Sequence, residues 1–97
     1  MKSVFIVYNQ ANTERVEYML DTLGVHGFTF FEQVQGRGTN GGEPRRGTHA
    51  WPEMNSAMMC VVEDDQVPPL LESIQKLDLR NPVVGVKAFV WNIEQVV

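Results

Sequence analysis

A single cysteine stands among the 97 residues, so no disulfide can close within the chain. Cys60 lies inside an apolar run and reads as a small buried hydrophobe rather than a nucleophile or a metal ligand. No apolar stretch reaches the roughly 18 residues needed to span a bilayer, so membrane insertion is not expected. The opening MKSVFIVYNQ has only a short apolar run and no small-residue cleavage site, which argues against a signal peptide. A reducing cytoplasm is the expected compartment. Positive charge is scarce too. Eight Lys and Arg against twelve Asp and Glu leave a net charge of −4. That balance argues against a protein that wraps nucleic acid or lies on an anionic membrane, since both need a basic face.

What is present suits one small soluble domain covering 1–97, with 43% hydrophobic and 21% charged residues. Ser3 to Tyr8 is β-branched and aromatic and reads as a strand. Asn12 offers a capping side chain, and Val16, Met19, Leu20 and Leu23 then recur at helical spacing. Gly24 falls where a left-handed helix end is expected. Phe28 to Val34 reads as a second strand and Ala57 to Val62 as a third. Asp64 or Asp65 is placed to cap a second helix, whose stripe is Val67, Leu70, Leu71, Ile74 and Leu77. A fourth strand is expected over Val83 to Ile93. The order β-α-β-β-α-β predicts an α+β domain of the ferredoxin-like type, an antiparallel four-stranded sheet with two helices on one face.

The strands carry a further message. A sheet covered on one side only should alternate apolar with polar residues. Here both sides are apolar: Val4, Ile6 and Tyr8 against Phe5 and Val7, and Met58, Cys60 and Val62 against Ala57, Met59 and Val61. In the fourth strand Val84, Val86, Ala88 and Val90 oppose Val83, Phe89 and Trp91. Two helices cover one side. The other would be a large exposed apolar patch, and another copy of the chain is expected to bury it.

Between the second and third strands lies a glycine-rich segment, 36–56, longer than ordinary connections and without periodicity. It carries Arg37, Arg45 and Arg46 in an acidic protein. Glycines let backbone N–H groups approach a ligand, and guanidinium forks match phosphate or carboxylate oxygens. A bound anion is the reading adopted; a solvated hairpin tip is the plainer one. Trp51, held extended before Pro52, is a candidate anchor on a neighbouring surface. His49 with Glu43, Glu53 or Met54 could hold a soft metal ion, although no recognised ligand spacing is present and a plain surface histidine is the commoner outcome.

Gly24-Val25-His26-Gly27-Phe28-Thr29 leading into Val34-Gln35-Gly36-Arg37-Gly38 resembles the PII (GlnB-like) signal-transduction proteins, in which such glycines open a long T-loop. Val61-Val62-Glu63-Asp64-Asp65 and Lys87-Ala88-Phe89-Val90-Trp91 extend the likeness over nearly the whole chain. The resemblance implies a cytoplasmic homotrimer, nucleotide sites in the clefts between subunits, and a T-loop that docks on a membrane transporter or an enzyme. It places Thr29 near an adenine, Gly36 and Gly38 at the phosphates, and Lys87 as the phosphate-binding lysine of the B-loop. The chain also departs from the pattern. Val86 replaces the glycine next to that lysine, the T-loop is shorter and lacks the tyrosine that is uridylylated, and Val97 stands where C-terminal arginines would follow.

The expected function is therefore a trimeric regulatory sensor that binds a small anionic ligand, with ATP or ADP as candidates and no cofactor required. Arg37, Arg45, Arg46 and Lys87 would supply its charge. The alternative is a metal-responsive trimer using His49, similar to the CutA family or linked to heavy-metal efflux. An enzyme is not expected. Val34-Gln35-Gly36 with a following Arg is similar to acylphosphatase, but that family needs the motif in the first strand–helix loop, which here is Asn9-Gln10-Ala11-Asn12. RNA binding lacks the basic character and stacking motif it requires.

Overall fold

The computed structural model describes residues 1–35, 54–80 and 85–97. Strand β1 (Lys2–Asn9) passes through a 3-10 turn (Gln10–Asn12) into helix α1 (Thr13–Thr22), and strand β2 (Thr29–Val34) follows. Strand β3 (Asn55–Val62) leads through a second 3-10 turn (Asp64–Gln66) into helix α2 (Val67–Arg80), and strand β4 (Val86–Asn92) completes the fold. The four strands form one antiparallel sheet in the order β2-β3-β1-β4. The expected α+β ferredoxin-like architecture is what the chain adopts.

The core lies between the sheet and the helices. Val4, Ile6 and Tyr8 of β1, Met58, Cys60 and Val62 of β3 and Val86 of β4 pack with Val16 and Leu20 of α1 and Leu70 and Ile74 of α2. Each is 5% exposed or less. Met19, Leu23, Val67 and Leu77 pack against this cluster from its margin. Leu71 departs from the expected stripe; it is 37% exposed and lines a groove beside β4 instead. Burial of side chains of this size stabilises by about 1.5–3 kcal/mol each.

Local chemistry sets the ends of the elements. Gly24 takes φ +77, the left-handed conformation a helix end favours, and the Val25 N–H reaches back to the Leu20 carbonyl at 2.8 Å. Asn12 does not cap α1. Its side-chain oxygen accepts from Arg15 Nη1 at 3.2 Å, while Asn9 receives the Ala11 N–H at 2.9 Å and caps the preceding turn. At the 3-10 turn that leads into α2, Glu63 rather than Asp64 or Asp65 is the capping residue, in a reciprocal capping box with Gln66. Asp64 instead meets the N-terminal ammonium at 2.9 Å, and that hydrogen bond and charge hold its carboxyl below the usual range. Strand β3 begins at Asn55, so Asn55 and Ser56 belong to the sheet rather than to the connecting loop. Strand β4 begins at Val86, directly after Gly85 with φ +68, where the chain turns into the sheet.

Candidate functional site

Side chains alternate across a strand, so burying Val86 against the helices sends Lys87 to the opposite, helix-free side. Lys87 is exposed and pairs across β1 with Val7. Its neighbour Val86 is fixed twice: it packs in the core opposite Tyr8, and its N–H donates to Asp78 Oδ1 at 2.8 Å. Beside β4 runs an open groove of about 510 Å³ against α2, lined by Leu71, Glu72, Gln75, Asp78 and Lys87 among others.

Thr29 begins β2, at the far edge of the sheet, and is also exposed. The register places it in the row Thr29, Met59, Phe5, Phe89, while Lys87 ends the row Phe31, Ala57, Val7, Lys87. Thr29 and Lys87 thus flank the same face from opposite edges. Three strand spacings of about 4.8 Å set them roughly 14 Å apart across the sheet, with a further offset of two residues along it, too far for one small anionic group to touch both. Within a single chain they stand on separate edges.

The surface between them is apolar. Phe31 is 39% exposed, Val61 44%, Trp91 47% and Phe89 56%, with Phe5, Val7 and Met59 partly covered beside them. The rings of Phe5 and Phe31 meet at 5.9 Å, tilted by 56°. Contiguous apolar surface of this kind marks an association face. Neither helix packs on this side.

Gly36, Arg37, Gly38, Arg45, Arg46, His49 and Trp51 lie outside the described residues. Among the described residues no group of three or more His, Cys, Asp or Glu comes together as a metal site. No helix there is long and apolar enough to cross a membrane. Cys60 is buried and its thiol is pushed up by that burial. Burial likewise raises the Tyr8 phenol, with Thr13 lowering it in part and the charge of Glu17 raising it again. The Thr13 hydroxyl donates to the Gln10 carbonyl at 2.7 Å, and Tyr8 is left without a fully formed partner.

Two features escaped the sequence reading. Asp78 holds the head of β4, and its signal was an acid in the last turn of a helix, where a cation is favoured. Gln33 takes φ +60 at a register shift between Phe31 and Val34, a bulge in edge strand β2 that no glycine announced.

The family described as "Nitrogen regulatory protein P-II" matches residues 1–97. Among solved structures the chain is similar to CPII, a nitrogen regulatory PII-like protein from Thiomonas intermedia K12, bound to ADP, AMP and bicarbonate. The two are 26% identical with a TM-score of 0.78 over 95% of this chain and 84% of that one. CPII bound to ADP and bicarbonate gives 26% identity and a TM-score of 0.77 over the same shares. A candidate PII-like signaling protein from Thermus thermophilus shares the fold, at 23% identity and a TM-score of 0.69, over 95% of this chain and 84% of that one. No curated protein sequence matches the chain.

Proposed function

Because this chain belongs to the nitrogen regulatory protein P-II family, we propose that it is a homotrimeric regulatory protein holding a small anionic ligand, an adenine nucleotide, in the clefts between subunits. The observation that carries this reading is the placement of Thr29 and Lys87 on opposite edges of one apolar sheet face. Packing that face against sister copies buries Phe89, Trp91, Val61 and Phe31, and brings the Lys87 edge of one subunit toward an edge of the next. Thr29 then lies beside the base and Lys87 at the phosphates, and Gly36, Arg37, Gly38, Arg45 and Arg46 are the further ligand-binding candidates. The nucleotides and bicarbonate bound by CPII support the ligand class.

The output of such a protein is a docking event rather than turnover. A segment ordered by a ligand converts binding into a new surface, which a transporter or enzyme in the cytoplasm reads. Trp51 supplies the apolar anchor. Calorimetric titration with ADP, AMP and bicarbonate tests the reading. Binding of either nucleotide, weakened in Lys87→Ala, is expected; flat traces for both nucleotides at millimolar concentration remove the nucleotide reading.

A further inference from the structure

The contact between Asp78 and Val86 has a consequence for the ligand at Lys87. Asp78 lies in the last turn of α2, where a carboxylate faces the negative end of the helix dipole. Its Oδ1 nevertheless accepts the Val86 N–H at 2.8 Å, across the link that joins α2 to β4. Val86 is the first residue of β4 and is 3% exposed, and Gly85 before it has φ +68. The amide of this strand head, entered through a left-handed glycine, meets the end of the neighbouring helix. In many phosphate sites such an amide meets a ligand oxygen. Here an oxygen of the chain itself is already there. Lys87 is the next residue, on an edge strand; it borders the same groove as Asp78 and Glu72, although its side chain leaves the strand on the helix-free side. Glu72 has a cation of its own on the helix, Lys76 Nζ at 3.4 Å.

We propose that Asp78 is a built-in anion that sets the charge preference of the Lys87 site. Its carboxylate holds the strand-head amide that a phosphate oxygen would otherwise take, and its fixed charge repels ligand phosphates in proportion to the charge they carry. The site therefore favours nucleoside monophosphates and diphosphates over triphosphates. This rests on the proposal that Lys87 meets the phosphates of a nucleotide, and it adds the residue that grades them.

The test is calorimetric titration of AMP, ADP and ATP against the wild type, Asp78→Asn and Asp21→Asn. Asparagine keeps an oxygen to accept the Val86 N–H and removes the charge. Asp78→Asn is expected to tighten all three ligands, by about threefold for AMP rising to about tenfold for ATP, with the gain shrinking as salt is added. Asp21→Asn, in the last turn of α1 and paired with His26, should leave the three affinities within about twofold. A folded Asp78→Asn that binds the three as the wild type does, or more weakly, overturns the inference while the nucleotide site stands. A wild type that binds none of them removes the nucleotide site itself, and the inference with it. Should Asp78→Asn fail to fold, the wild-type amide spectrum decides: Val86 N–H must keep its exchange protection and shift when ADP binds. A nucleotide that takes over that amide contradicts the role assigned to Asp78.

Discussion

The two faces of the sheet are built from similar residues and have opposite fates. On the helix side Val4, Ile6, Tyr8, Met58, Cys60 and Val62 are 3% exposed or less. On the other side Phe31, Val61, Phe89 and Trp91 keep 39% to 56% of their surface open to water. Hydrophobicity alone does not separate the two sets. Connectivity does: both crossover helices pack on one side, and among the described residues nothing comparable packs on the other. The first face makes the fold, and the second is an offer of association.

Substitutions on each face separate those roles. Ile6→Ala removes a fully buried side chain from the centre of β1 and should destabilise folding by about 2–5 kcal/mol. Chemical denaturation at one fixed protein concentration checks this, and a loss below about 1 kcal/mol would contradict the assigned core. Phe89→Asp places a charge in the open face. It should leave the far-ultraviolet spectrum native-like while dissociating the assembly; an unchanged association state would show that this face is not the interface. Lys87→Ala touches neither core nor apolar patch. Removing one charged hydrogen-bonding partner should weaken nucleotide binding by roughly tenfold to a hundredfold, about 1.5–3 kcal/mol, with little change in melting temperature.

The smallest effect belongs to the edge of the fold. The Asp64 carboxyl is lowered by its hydrogen bond to the N-terminal ammonium and by that charge. A carboxylate whose folded value is depressed contributes stability above the ordinary carboxylate range and loses it as pH falls through the folded value. Wild type should therefore lose slightly more stability than Asp64→Asn below about pH 4, a difference small because the pair is exposed. Parallel acid titrations of the two melting temperatures would reveal it.

Much of this was legible from residue patterns. The β-branched run of β1 and the stripes through Val16 and Leu20 and through Leu70 and Ile74 announced their elements because burial enforces the period. The doubled apolar faces announced the unfilled side of the sheet. Contacts between distant positions were not legible. Asp64 looked like a cap until the N-terminal ammonium, sixty-three positions away, claimed it and Glu63 took the role. Asn12 lost its capping role to Arg15, a competition that propensity does not weigh. Val83 and Val84, read as strand on β-propensity, lie outside the described residues, and β4 is described from Val86 onward. Of the candidate site, Thr29 and Lys87 can be placed, and the sheet register rather than the sequence shows that they stand on opposite edges.

Sedimentation velocity of the wild type over a range of dilutions tests the central claim most directly. Three copies of the 11.0 kDa chain should move as one species down to micromolar concentration or below. A native-like particle of single-chain mass throughout that range would contradict the account, since Thr29 and Lys87 could then never meet around one ligand.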